Sequence, residues 1–273
     1  VNQASLLVGQ RQGYLYFGYE SCGIKCWVPR SRTNLKHSFE HPSEVTFSAI
    51  TAYDTERGSA AVRLHNAQSI YCNRTDDNFY HHLVGWHSKP HAALDAEGRM
   101  IGYVVANKDG NLIAELCAES TESALGIARA WVEQFSDDAV EFELHAVPDS
   151  LLYGLGRIGE YIRIRESGNW QIFDWPGTIG ALMGLRNRSG DMAEGEVTID
   201  IAGYGRVRLL VKGGEALCEP SNGAADLSCD GPTAKRLLFG PVAPSLVMPL
   251  DAKTSILESW CPLPLSITRQ DWV

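Results

Sequence analysis

The sequence predicts an α/β fold of the α+β kind, in which short strands and single helices alternate around mixed, largely antiparallel sheets. Three observations carry that expectation. Val197, Ile199 and Ile201, then Val207, Leu209 and Val211, repeat at period two, as half-buried strands do. Leu125, Ala128, Trp131, Val132 and Phe135 repeat at helical period. Turns carrying Gly98, Gly110, Gly203 and Gly213-Gly214 join neighbouring runs closely, which fits antiparallel pairing.

The elements follow in order. Ala4-Ser5-Leu6-Leu7-Val8 runs into Gly9 as a buried strand with a stop. A short Tyr-rich helix and a second extended run, Gly23 to Val28, end at Pro29. Residues 29–42 are polar and basic and read as a connection. A strand over 45–50 precedes a helix opened by Asp54 as N-cap and running to about Ile70. A meander follows over 92–117, and Ser120 caps the helix that carries Trp131. Val140, Phe142 and Leu144 alternate with Glu141, Glu143 and His145 as a half-exposed strand. Leu152-Tyr153, then Gly159 and the run 161–164, echo the opening stretch as a weak internal repeat. Residues 169–174 are extended. Trp175-Pro176 opens a helix in which Gly177, Gly180 and Gly184 allow close approach of a neighbour, at about 1 kcal/mol each against Ala. Two hairpins and a short strand at Leu227 and Cys229 lead to a last helix, stopped by Gly240.

At 273 residues the chain is long for one domain and comfortable for two. Its 44% hydrophobic and 21% charged residues describe an ordinary soluble globular protein. No apolar run approaches the roughly 20 residues of a membrane span, and the first residues do not read as a basic, apolar leader. A cytoplasmic location without a membrane partner is therefore expected. Beginning at Val1, almost inside a strand, the chain is expected to be a fragment or a processed product. A net charge of -9 with no Lys/Arg block argues against a nucleic-acid partner. It favours cationic small molecules, polyamines or basic peptides, although solubility alone also accounts for it. Cys22, Cys26, Cys72, Cys117, Cys218, Cys229 and Cys261 are odd in number and form no Cys-x-x-Cys, as reduced, intracellular thiols do.

Tyr14-x-x-Phe17-Gly18-Tyr19 resembles the aromatic signature that closes the GCN5-related N-acetyltransferase (GNAT) fold, and Gly9 to Glu20 as a whole resembles acetyltransferases of the enhanced intracellular survival type. Phe173-Asp174-Trp175-Pro176, Leu237-Leu238-Phe239-Gly240 and Pro262-Leu263-Pro264-Leu265 are similar to later stretches of the same family, in the same order. The resemblance implies three parts: the end of a catalytic GNAT domain (1–36), a degenerate GNAT-like domain (37–168) and a sterol-carrier-protein-like domain (169–273). It implies acetyl-CoA as cosubstrate, a primary amine or protein lysine as acceptor, and a homo-oligomer.

Acetyl transfer needs a cradle for the coenzyme A pyrophosphate, a base for the ammonium and an acid for the leaving thiolate. The family's Gln/Arg-x-x-Gly-x-Gly/Ala turn has no suitable match here, and the corresponding Glu119 to Gly126 is acidic. The cofactor-binding residues are therefore unassigned, with the main motif expected upstream of Val1, and this chain alone is expected to be inactive. By the resemblance the acid is Tyr14, whose phenol, with a pKa of about 10, suits a thiolate of about 8 to 9; packing around a short helix is the plainer role for Tyr16 and Tyr19. Also by the resemblance, the base is the terminal carboxylate of Val273, and Trp272 beside it favours a docked end over a frayed one.

Two patterns are decoys. Gly154-x-Gly156-x-x-Gly159 matches the dinucleotide fingerprint but precedes a strand-like run where a long helix is required. His81, His82, His87 and His91 lack the paired geometry of a zinc site, so no metal is expected. The rival to the enzyme is a non-catalytic ligand-binding or assembly module built on the sterol-carrier-like part, which is apolar enough for a pocket.

Overall fold

The computed structural model describes residues 3–37, 44–68, 70–135, 139–190 and 192–272. Its contacts divide the chain into two units. The first is Val1–Lys25, His145–Pro148 and Ile164–Ser266; the second is Cys26–Leu144, Asp149–Arg163 and Ile267–Val273.

The first unit begins with β1 (Ala4–Leu7), the one-turn helix α1 (Arg11–Leu15) and β2 (Glu20–Cys22). The second unit holds almost all of the next elements. They are β3 (Lys25–Ser31), α2 (Arg32–His37), β4 (Thr46–Ala49), α3 (Thr55–Asn66), α4 (Asp76–Leu83) and the meander β5 (Lys89–Leu94), β6 (Met100–Ala106) and β7 (Leu112–Ala118). Then come α5 (Thr121–Phe135), β8 (Ala139–His145), α6 (Ser150–Ile158) and β9 (Arg163–Arg165). Together they form a seven-stranded sheet of order β4-β5-β6-β7-β8-β3-β9. β4 to β7 are antiparallel, whereas β7 and β8 run parallel through Leu112↔Glu141 and Ile113↔Phe142.

Alternation along these strands loads both faces of the sheet. Ala92, Tyr103, Val105 and Cys117 face α3 and α4, through Ala61, Phe79 and Leu83. Ala93, Val104 and Ile113 face α5 and α6, through Ile127, Ala128 and Leu155. Trp131 stacks on Phe135 at 4.2 Å and meets Phe47 edge-on at 4.9 Å, which locks α5 to the β4 edge. Asp54 accepts from the Arg57 amide as N-cap, and Ser120 Oγ accepts from the Ser123 amide, as the sequence predicts.

The first unit resumes with β10 (Gly168–Ile172), α7 (Trp175–Ser189), β11 (Gly195–Ile201), β12 (Gly205–Lys212), β13 (Glu215–Pro220), β14 (Leu227–Cys229), α8 (Gly231–Phe239) and the one-turn α9 (Leu257–Trp260). β10 sits between β1 and β2, antiparallel to both. β13-β12-β11-β14 make a second, four-stranded sheet, with β14 parallel to β11. α7 packs on β13. Its N-cap is Asp174, which accepts from the Gly177 amide.

This is the mixed α/β fold with largely antiparallel sheets that the sequence predicts. Several details differ. β3 continues through Pro29 to Ser31, and α2 follows where a connection is expected. The ring removes only a donor, and the Pro29 carbonyl still accepts from the Glu160 amide. α4 has no counterpart in the sequence reading, because only Phe79 and Leu83 of its eight residues are buried. Of the three α7 glycines, only Gly180 serves close approach: a Cβ there would lie 3.4 Å from the Cys218 amide. Gly184 faces open space, and a Cβ at Gly177 would meet the Asp174 cap. All seven cysteines are free thiols. No helix among the described residues is long and apolar enough to cross a membrane.

Candidate active site

Tyr14 lies on α1, a helix of five residues that propensity alone would not hold. Four contacts within the first unit fix it instead. The Tyr14 ring lies over Gly9, whose φ of 144° and bare Cα make room: a Cβ there would stand 2.8 Å from the ring. The Tyr14 hydroxyl donates to the Val8 carbonyl at 3.3 Å. Arg11, the first residue of the helix, reaches Glu20 on β2 with two parallel bonds, one of 2.8 Å. Glu20 is fully buried, and this carboxylate raises the Arg11 guanidinium pKa. Lys235 of α8 donates to the Gly18 carbonyl at 2.6 Å and lies 5.7 Å from the Trp175 ring centre. Burial pushes the Lys235 ammonium pKa down and the neighbouring Cys22 thiol up.

Gly18 (φ 81°) turns the chain so that the Tyr19 amide comes back to the Tyr14 carbonyl at 3.2 Å. Tyr19 in turn pairs with Ser5 at 3.0 Å. The turn is thus tied to β1, to β2 and to α8, and it presents a half-buried phenol. Tyr19 packs against Tyr14 as expected, with ring centres 6.2 Å apart, whereas Tyr16 is 88% exposed and does not pack around the helix; Phe17 beside it is 68% exposed.

Val273 lies outside the described residues. The residues before it belong to the second unit and are docked there, as Trp272 suggests. A 3-10 turn (Arg269–Asp271) packs on α4 and β7. Arg74, with a side chain 1% exposed, forks between two carboxylates. Its Nε and Nη2 donate to Asp271 at 2.7 and 3.0 Å, and its Nη1 and Nη2 donate to Glu115 at 3.1 and 2.7 Å. Tyr103 also donates to Glu115. Burial raises the Glu115 pKa, but His65, Arg74 and Tyr103 together outweigh it and hold the carboxyl at about 2.

His65, Glu115 and Cys117 place ligand-type atoms within 4.8 Å of one another, all buried. The Glu115 oxygens are already taken by Arg74 and Tyr103, His65 Nε2 donates to the Cys72 carbonyl, and burial drives the Cys117 thiol up. That set is an ion-pair network built around a guanidinium, which would repel a cation. Of the four decoy histidines, His82 donates to the Gln270 carbonyl and His91 packs on Trp131. The dinucleotide-like glycines Gly154 and Gly156 lie inside α6.

Sequence reasoning missed Arg11, Glu20, Lys235 and the Arg74 network. Glu115 carried a signal: one acid within the apolar run Leu112 to Cys117. Arg74 carried none.

No protein-family model matches the chain, and no curated protein matches it. Solved structures do. A GCN5-related N-acetyltransferase from Kribbella flavida aligns with 99% of this chain and 71% of its own, at TM-score 0.61 and 20% identity. One from Anabaena variabilis aligns with 97% of this chain and 71% of its own, at TM-score 0.56 and 15% identity. Eis1 from Mycobacterium abscessus aligns with 97% of this chain and 70% of its own, at TM-score 0.57 and 12% identity. The chain therefore shares the fold of GCN5-related N-acetyltransferases, and at these identities the likeness establishes the fold alone.

Proposed function

We propose that the chain is the C-terminal portion of an acetyl-CoA-dependent N-acetyltransferase of the enhanced intracellular survival type. It would act in the cytoplasm, as a homo-oligomer, on a primary amine, either a small cationic compound or a protein lysine. Residues 1–36 would close the catalytic domain, 37–168 would be a degenerate GNAT-like domain and 169–273 a sterol-carrier-protein-like domain. The observation that carries this reading is Tyr14: an aromatic motif similar to the family's, on a one-turn helix pinned by the Arg11–Glu20 pair and by Lys235, within the fold of the neighbours.

In the reaction the amine lone pair attacks the acetyl carbonyl and the carbon–sulfur bond breaks. The Tyr14 phenol protonates the departing thiolate, and the terminal carboxylate of Val273 accepts the ammonium proton. The pyrophosphate cradle is not assigned to any of these residues.

The test is acetyl-CoA titration by calorimetry, on this chain and on the product of the complete reading frame, followed by Tyr14→Phe in the latter. Binding by the complete product, and a turnover that falls roughly 10²–10⁴-fold in the variant, support the assignment. Unchanged turnover removes Tyr14 from the mechanism, and no binding by either product sinks the enzyme reading.

One observation favours the second reading, a ligand-binding module. A cavity of about 420 Å³ in the second unit lies between α3 and α4, lined by Ile50, Val62, Phe79 and Leu83 with Asp54 and Asp76. Its size suits a small molecule, and it lies outside 169–273, where the sequence suggested a pocket. Mass spectrometry of an organic extract of the purified protein would reveal a carried ligand, and an empty extract would count against this reading.

A further inference from the structure

A buried polar cluster of the second unit, built around Arg74, holds residues 268–272. Residues 268–272 are gripped at five points. Asp271 takes two bonds from Arg74, and Thr268 Oγ1 donates to the same carboxylate. The Gln270 side-chain amide donates to Ser88 Oγ at 2.9 Å, and the Gln270 carbonyl accepts from His82 Nδ1 at 3.0 Å. The Trp272 carbonyl accepts from Trp86 Nε1 at 3.3 Å, with the two indoles edge to face at 6.1 Å.

Trp86 and His87 adopt φ of 57° and 58°, the only non-glycine residues with positive φ among those described. For side chains of this size the left-handed region costs energy, and such strain persists where the surroundings enforce it. Here Trp86 is 53% exposed, so burial of its ring does not explain the conformation; its indole N–H is aimed at the last described carbonyl. The Asp271 and Gln270 side chains are almost wholly buried, although they sit on a single 3-10 turn.

We propose that Arg74 is a positioning residue. With Glu115 behind it, Arg74 latches residues 268–272, whose last described carbonyl is held separately by Trp86, and so sets the place from which the carboxylate proposed above as the base acts. The catalytic purpose rests on the acetyl-transfer reading above; the latch itself does not. Glu115 is the fixed half of the device, since it sits on β7 and orients the guanidinium, and Asp271 is the half that docks.

The experiment reads the two levels separately. On this chain, carboxypeptidase trimming followed by intact mass, with hydrogen exchange of amides 268–272, reads the latch. Asp271→Asn keeps the shape and leaves the Arg74–Glu115 pair in place, so it avoids the folding risk of changing Arg74. Trimming past Trp272 should then accelerate about a hundredfold, with Asp271→Glu in between. A tail in Asp271→Asn as resistant as the unsubstituted one overturns the latch. In the complete enzyme, the same variant should lower kcat at least about tenfold while the KM for acetyl-CoA holds, because the acceptor's base is displaced and the donor site is not. A freed tail with unchanged kcat overturns the positioning role. Absence of acetyl transfer by the unsubstituted enzyme overturns the functional reading, and trimming still reports the latch.

Discussion

Arg74 and Arg99 belong to the same unit and do the same thing on paper: each guanidinium holds two carboxylates. Arg74 binds Glu115 and Asp271; Arg99 binds Asp95 and Glu119 with bonds of 2.7 to 3.1 Å. Their side chains are 1% and 62% exposed. The Asp95 turn and Glu119 lie within 20 positions of Arg99, whereas Asp271 lies 197 positions from Arg74. Bond lengths therefore do not distinguish them; solvent and chain separation do. In water the lost partner is replaced at once. In the interior a lone carboxylate stays uncompensated, and a contact spanning most of the chain organises structure that local sequence cannot.

The contrast breaks most visibly at Arg74 itself. Arg74→Met strands Glu115 and Asp271 without their cation, and we expect a loss of about 3–5 kcal/mol in urea unfolding. A loss near zero would place the pair on the same footing as Arg99. The pH dependence follows from Glu115. Against the cost of burial, its folded-state pKa, about 2, is depressed below the ordinary value of 4.5 by His65, Arg74 and Tyr103, and that of Asp271 is depressed as well, by Arg74 and Thr268. Such groups stabilise the fold fully above their unfolded values, and the contribution is lost as pH falls through the folded ones. Stability should therefore decline between about pH 4.5 and 2, and Glu115→Gln should flatten the decline, as followed by thermal unfolding across that range. An equal slope in the variant would assign acid sensitivity elsewhere.

The sequence is legible where structure is local. Asp54 and Ser120 cap the helices they precede, because a cap needs only its next three residues. Gly203 (φ 83°), Gly213 and Gly214 turn the β11-β12-β13 hairpins where the spacing places them. Long-range pairing is not legible. Nothing within 168–172 says that β10 will sit between two strands from the first 25 residues. The same holds for the site. The Tyr14 motif is visible because it is contiguous, while Lys235 reaches Gly18 across 217 positions and Arg74 lies in a polar stretch with no period. Glu115 was the one buried partner whose surroundings marked it in advance, an acid in an apolar strand.

Lys235 stands between the two arginines in expected effect. Its ammonium is buried, yet it meets one carbonyl, that of Gly18, and an indole face in place of a carboxylate pair. Lys235→Met keeps the stem's packing and removes the charge-assisted bond, so a loss of about 1.5–3 kcal/mol is expected, with protection lost first at the amides around Gly18. Because burial already lowers the Lys235 pKa, the neutral methionine recovers part of the desolvation cost. A stabilised variant would mean that desolvation outweighs the bond, and that the Tyr14 turn is held by Arg11 and Glu20 without α8.

Arg99→Ala is the smallest change and the sharpest control on the comparison. The residue donates its amide and two guanidinium nitrogens to Asp95 and Glu119, a bond count close to that of Arg74. The backbone bond from the Arg99 amide to Asp95 Oδ1 survives the substitution, and with it the turn that joins β5 to β6. The freed carboxylates are open to water, which solvates them at no structural cost. The urea midpoint of Arg99→Ala should match that of the unsubstituted chain, and added salt should not separate the two. A measurable loss that salt abolishes would show that Asp95, Arg99 and Glu119 work as a network despite their exposure. Burial would then cease to be what sets Arg74 apart, and the 197-position span to the chain's end would have to carry the difference alone.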